Sequence, residues 1–191
     1  MSSDQEIIDA VLAGEAARFD ELFDRYHRRL FGLLWHACGD RELAEDLGQE
    51  AFLRAFRKLH LYSGQAQFYT WLARVAMNLL SSFRRKRRIE SEVDREGFEM
   101  VMDSVGDFQS PDAQAQLSET QTCVRQAIAM LDEERRVVLI LRDFEDMDYD
   151  SIAKILDIPI GTVRSRLHRA RLELKTLFQS KATQLGIAEE S

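Results

Sequence analysis

Apolar residues recur at three- and four-residue spacing along most of the chain, the period of amphipathic helices packed on a shared core. Ile7, Ile8, Val11 and Leu12 predict a short helix over 6–13, ended by Gly14. From Glu15 a longer helix carries Phe19, Leu22, Phe23, Tyr26, Leu30, Leu33, Leu34 and Ala37 on one stripe. Gly39 is a natural C-terminal stop, and Asp40 can cap a third helix over 41–59 by accepting from its first free amides. That helix is expected to bury Leu43, Leu47, Ala51, Ala55 and Phe56, which leaves Asp46, Gln49, Glu50 and Leu53 on the opposite, polar and partly acidic face. Tyr62 to Gln65 reads as a loop. A fourth helix from about residue 67 turns Phe68, Trp71, Leu72, Val75, Ala76 and Leu79 inward and runs into the cluster Arg84-Arg85-Lys86-Arg87-Arg88. The aromatic residues at its start fit a packed core as well as they fit rings exposed beside positive charge, and the pattern does not place Tyr69 on either side.

After Arg88 the helical period fails until Leu117. Gly97, Gly106, Ser110-Pro111 and a run of acids mark a flexible linker, although Phe98, Met100, Val101, Met102 and Phe108 are many apolar residues for a plain spacer and suit docking on a partner. The pattern restarts with Val124, Ala127, Ile128 and Leu131, then Val137, Val138, Leu141 and Phe144. Ile152, Ile155 and Leu156 follow, Asp157-Ile158-Pro159 breaks the period, and Val163, Leu167, Ala170 and Leu174 resume it. This is a helix-turn-helix pattern, with Ala153 small enough for the close approach of its two helices. The second of them turns Arg164, Ser165, Arg166, His168, Arg169, Arg171 and Lys175 away from the apolar stripe. Guanidinium forks match phosphate oxygens and the O6/N7 edge of guanine, so this face suits a DNA major groove. A solvated basic face is the plainer reading of the same arginines. The division expected is a helical unit over 1–89, an acidic linker over 90–115, a second helical unit over 116–182 and a tail over 183–191, an all-α protein of two small domains.

Composition narrows the classes. With 191 residues, 45% of them hydrophobic and only two prolines, the chain can hold one or two small helical cores. No apolar run reaches membrane-spanning length and the start has no export signal, so no membrane insertion and a cytoplasmic location are expected. Cys38 and Cys123 offer no disulfide framework, and both are expected as buried thiols. The four histidines are scattered and no nucleophile, phosphate-loop or dinucleotide pattern appears, so neither an enzyme nor a cofactor or metal site is expected.

A net charge of -7 argues against a nucleic-acid partner until the charge is located. Residues 90–112 hold eight acids and one arginine, which alone accounts for that total. The basic residues gather instead at Arg84 to Arg88 and on the helix after the turn. Charges are screened beyond about 10 Å at physiological salt, so local basic patches can act within an acidic protein. A run of five cations is expected to face water or phosphate.

The order of these features resembles a known family. AEDLGQEAFLRAFRKL in the first unit and DYDSIAKILDIPIGTVRSRLHRAR in the second are similar to bacterial RNA polymerase sigma factors of the extracytoplasmic-function group. The most specific strings lie at Asp46 to Phe52, Phe68 to Asn78 and Gly161 to Arg171, and the resemblance spans about Ala16 to Phe178. It implies that the first unit is sigma region 2 and the second sigma region 4, and that the chain binds core RNA polymerase and directs it to promoters without covalent chemistry. On the same resemblance Asp46, Gln49, Glu50 and Leu53 meet the clamp coiled coil of the polymerase's largest subunit. The stretch from Tyr62 to Arg88 reads and opens the minus-10 element of promoter DNA, with Ser63, Gln65, Tyr69 and Asn78 at the bases and Arg84, Arg85, Arg87 and Arg88 at phosphates. The minus-35 element falls to Thr162, Arg164, Ser165, Arg166, His168, Arg169 and Arg171, of which Arg166 or Arg171 are the expected phosphate contacts. An anti-sigma factor that covers these faces is also implied.

The sequence departs from the family's pattern at a few points. Leu131-Asp132 stands where Leu-Pro is common, Asp146-Met147 where the bend often has glycine, and Ser151 where glutamate is frequent. Asp157 fills a turn position that tolerates aspartate because the left-handed conformation is needed there. His168 differs from the usual contact residues, so the promoter sequence does not carry over. Two other classes compete: a free-standing helix-turn-helix regulator that binds an operator without polymerase, and a bare interaction protein. The first needs a ligand or phospho-acceptor domain in front, which the all-helical pattern before residue 90 does not supply. The basic helix counts against the second.

Overall fold

In the computed structural model, residues 2–94 and 119–184 are described. Those residues form helices and turns, with no strand among them. The N-terminal unit holds α1 (Asp4–Leu12), a 3-10 turn (Ala16–Arg18), α2 (Phe19–Cys38), α3 (Arg41–Arg57), a second 3-10 turn (Leu59–Leu61) and α4 (Phe68–Asp94). The C-terminal unit holds α5 (Glu119–Met130), α6 (Glu133–Leu139), a wide π-type turn (Ile140–Phe144), α7 (Tyr149–Leu156) and α8 (Ile160–Gln184). The expected linker beyond Asp94, with its apolar residues, and the tail beyond Gln184 lie outside the described residues.

Local chemistry sets the boundaries. Ser3 and Glu6 close a reciprocal capping box on α1, and Asp4 ties that helix to α2 through Arg25 and through the Tyr26 hydroxyl at 2.5 Å. Gly39 ends α2 in the left-handed conformation at φ 77°, and Asp40 accepts from the Leu43 amide at 3.0 Å to begin α3. Both act as the sequence predicts. Arg136 staples the turn between α5 and α6 by donating to the Ala129 and Leu131 carbonyls at 2.6 and 2.8 Å. Asp148 caps α7 through the Ser151 amide at 2.8 Å.

Several expectations are corrected. On α3 the buried face is shifted: Phe52 is 5% exposed and Phe56 is 41% exposed, because α2 approaches from the side of Ala44, Ala51 and Phe52. Phe23 on α2 and Phe144 on the π-type turn are also exposed rather than core. The helical backbone does not fail at Arg88 but continues to Asp94, five residues into the segment expected as linker. Cys123 is buried, whereas Cys38 is only half-buried, its thiol donating to the Asp40 carbonyl at 3.1 Å.

The two units share one continuous core, and α4 is where they join. One stripe of α4, including Phe68, Leu72, Ala76 and Leu79, packs on α2 and α3 as the periodicity predicts. A second stripe, Tyr69, Ala73, Met77 and Leu80, is buried as well, and α7 of the C-terminal unit lies against α4. This settles Tyr69: it is inside, at 3% exposure.

Candidate functional site

Three surfaces carry the side chains singled out from the sequence, and each is positioned by a different helix. On α3, Asp46, Gln49 and Leu53 are exposed and Glu50 is half-buried, in an ion pair with Arg54 at 2.6 Å. Their three- and four-residue spacing aligns them on one side of the helix. Leu53 is 51% exposed and stands at the rim of a groove of about 400 Å³ between α2 and α3. The groove floor is aromatic, with Phe19 to Phe56 ring centroids at 5.1 Å and Phe23 to Phe52 at 4.8 Å. Pattern reading missed this floor because it assigned Phe23 and Phe56 to the core.

The second surface runs from the loop before α4 along that helix. Ser63 and Gln65 are exposed in a loop turned by Gly64 at φ 71° and held by the Tyr62 hydroxyl, which donates to the Ala66 carbonyl at 2.5 Å. The Tyr62 ring leans on Phe68 and Trp71, so the loop is anchored in the aromatic core. Asn78 is exposed at the edge of a small pocket shared with Arg84, Glu133, Glu134 and Arg166. Arg85, Arg87 and Arg88 are exposed, as a phosphate-facing cluster requires. Arg84 departs from them: it is half-buried, pairs with Glu133 of the C-terminal unit and donates to the Ala37 carbonyl at 3.0 Å. Burial lowers its guanidinium pKa against the pull of Glu133.

Tyr69 is the least accessible member of the set. Its hydroxyl donates to a Glu145 carboxylate oxygen at 2.9 Å, and burial together with that carboxylate pushes the phenol far above its ordinary value. Arg29 of α2 reaches the same oxygen at 2.7 Å, with its guanidinium carbon 4.0 Å from the centre of the Tyr69 ring. Arg29 and Glu145 carried no signal in the sequence, because they are 116 positions apart.

The third surface is α8, set by the turn before it. Asp157 is left-handed at φ 53° and lets α7 stop abruptly, and Pro159 begins the next turn. Ile152, Ile155, Val163, Leu167 and Ala170 lock α7 on α8. Arg164, Ser165, His168 and Arg169 are left exposed on one outward face, with Thr162 half-buried beside them. Arg164 also lies 5.9 Å from the Tyr149 ring centre. Arg166 and Arg171 flank that face and turn back toward acids of their own unit, Arg166 to Glu134 at 2.5 Å and Arg171 to Asp143 at 2.5 and 3.1 Å. Among the described residues no cluster of His, Cys, Asp and Glu is placed to hold a metal ion, and no helix is long and apolar enough to cross a membrane.

Comparison with known proteins agrees with this layout. Residues 22–89 match the family described as Sigma-70 region 2, and residues 121–174 match Sigma-70 region 4. The chain is 36% identical to the RNA polymerase sigma-H factor of Pseudomonas aeruginosa, over 92% of this chain and 94% of that one. It is 33% identical to the ECF RNA polymerase sigma-E factor of Escherichia coli K12, over 88% and 91% of the two chains. Among solved structures it is similar to the sigma factor RpoE of Bartonella quintana in complex with the anti-sigma factor NepR, with TM-score 0.66, 26% identity and coverage of 84% and 96%. The fold is also that of CnrH, solved with the cytosolic domain of CnrY, at TM-score 0.63, 21% identity and coverage of 94% and 99%.

Proposed function

Since the chain belongs to the sigma-70 family, as an extracytoplasmic-function sigma factor that directs RNA polymerase to promoters, we propose that its three surfaces divide that work between them. The α3 face of Asp46, Gln49, Glu50 and Leu53 binds the clamp coiled coil of the polymerase's largest subunit. The observation that supports this most directly is Leu53, a large aliphatic side chain 51% exposed between polar neighbours and beside an aromatic groove. Exposed apolar anchors of this kind, ringed by polar groups, suit a protein interface.

The loop and helix from Ser63 to Arg88 take the minus-10 element. Ser63, Gln65 and Asn78 offer hydroxyl and amide groups to an extruded base, and Tyr69 offers a ring for stacking once it is uncovered. Arg84, Arg85, Arg87 and Arg88 hold nearby phosphates. The outward face of α8 takes the minus-35 element as duplex, with Arg164, Ser165, His168 and Arg169 toward base edges and Thr162, Arg166 and Arg171 toward the backbone. The chain performs no covalent step and works in the cytoplasm. An anti-sigma factor is its second protein partner, recovered with it under non-inducing conditions. Recovery of polymerase subunits alone would sink that part of the reading.

Run-off transcription on a supercoiled library of genomic fragments tests the whole assignment, with core polymerase alone set against core plus this protein. New discrete starts that share two spaced upstream motifs and vanish on Asp46→Ala or Gln49→Ala are expected. Operator binding by the protein alone, with no new starts, would favour a free-standing regulator instead.

A further inference from the structure

Glu145 is a largely covered carboxylate whose partners belong to the other unit of the chain. Its side chain is 9% exposed, and one oxygen accepts from both Arg29 Nε at 2.7 Å and the Tyr69 hydroxyl at 2.9 Å. Arg29 donates in addition to the Glu145 carbonyl at 3.1 Å. A π-type turn over Ile140–Phe144 precedes this residue, and Asp146 follows it in the left-handed conformation at φ 51°. A buried carboxylate is costly unless charged and neutral donors converge on it, and here both donors come from α2 and α4.

The same contact recurs along α4. Arg84, at the other end of the region expected to face DNA, pairs with Glu133. Two acids of the C-terminal unit therefore sit on two cationic positions of the N-terminal unit, Arg29 and Arg84, and α7 fills the space between them against Met77 and Leu80. A guanidinium and a hydroxyl meeting on one anionic oxygen are also the donors that a backbone phosphate oxygen takes.

We propose that Arg29 and the Tyr69 hydroxyl form a phosphate site for the promoter strand, which the closed chain fills with its own Glu145 carboxylate. The site extends the DNA face from α4 onto α2. It rests on the assignment of α4 to the minus-10 element. DNA and the C-terminal unit compete for it, so the chain must part its two units before the minus-10 strand can bind there.

Two measurements on the full chain test the site. In the first, holoenzyme assembled from core polymerase and Arg29→Ala protein is titrated with a forked minus-10 DNA at several salt concentrations, beside Arg29→Lys, Arg85→Ala and Asn78→Ala. Loss of one phosphate contact on single-stranded or duplex DNA lowers the slope of log affinity against log salt by roughly 0.7 to 0.9. That decrease, with several-fold weaker binding, is expected for Arg29→Ala, and Arg29→Lys should keep the slope. An unchanged slope for Arg29→Ala, while Arg85→Ala and Asn78→Ala weaken binding, overturns the phosphate site and leaves the minus-10 face standing. No effect from any of the three overturns the assignment of α4 and the site with it.

In the second, small-angle X-ray scattering of the free chain compares the unaltered protein with Glu145→Lys and with Arg29→Glu/Glu145→Lys. Expansion on Glu145→Lys and recompaction in the reversed pair are expected. Equal dimensions for all three overturn the competition. Recompaction in the double variant also shows that any expansion of the single one is a lost contact rather than failed folding.

Discussion

The ring of Phe52 meets that of Phe23 edge-on at 4.8 Å, and Leu53, the next residue, points out of the fold at 51% exposure. One helix thus presents its core and its interface on adjacent positions, and substitutions at the two should separate cleanly. Phe52→Ala removes a buried aromatic and should cost about 3 to 5 kcal/mol of stability, read by denaturant unfolding. Leu53→Ala should leave the unfolding midpoint within about 0.5 kcal/mol of the parent while weakening association with core polymerase. Equal destabilisation by both would mean that Leu53 is packed.

Asp157 tests the turn of the helix-turn-helix. At φ 53° a β-branched residue is strained, so Asp157→Val should cost about 1 to 2 kcal/mol. Asp157→Gly should be tolerated, since glycine adopts this conformation freely. Thermal unfolding of the two variants decides it, and a tolerated valine would show that the turn relaxes.

The face of α8 predicts a split between two kinds of arginine. Arg164→Ala or Arg169→Ala should cost about 1 to 3 kcal/mol on the matching promoter and loosen specificity at one base pair. Arg166→Ala and Arg171→Ala, whose side chains lean on Glu134 and Asp143, should weaken all promoters alike. Holoenzyme binding to a set of single-base minus-35 variants separates the two patterns.

Acid should loosen the seam between the units. His36 packs against Phe144 of the C-terminal unit at 5.5 Å, and burial, helped by Arg125, holds its imidazole below the ordinary value of 6.5 while Glu145 pulls the other way. The folded chain therefore prefers the neutral ring. That contribution is complete above pH 6.5 and is lost as pH falls through the lowered pKa. Unfolding followed from pH 7.5 to 5 should show the decline, and His36→Phe should flatten it. An identical slope in the variant would assign the effect to another group.

Much of the fold was legible because its signals are local. Gly39 and Asp40 announce a helix end and the next helix start within two residues, and Asp157 does the same for the turn before α8. The apolar stripes of α2 and α8 follow from spacing, with Phe23 on α2 the exception. Phe52 and Phe56 show the limit: both lie on the apolar side of α3, and only the direction from which α2 approaches decides which is covered. The exposed faces of α3 and α8 were equally readable, since they are what remains when the core stripe is removed. Tyr69 and Arg84 were not, because their partners lie 76 and 49 positions away and pairing at that distance leaves no periodic trace.

The second buried stripe of α4 has a thermal consequence. Parting the units wets Ala73, Met77 and Leu80 together with Ile155 of α7, all of them apolar and each no more than 6% exposed. Hydration of such surface raises heat capacity, so separation and closure differ in enthalpy by an amount that grows with temperature. Apolar contacts weaken on cooling, whereas the ion pairs at Glu145 and Glu133 do not depend on that driving force. The balance between the two forms is therefore set by temperature as well as by partners, and cold alone favours the parted chain.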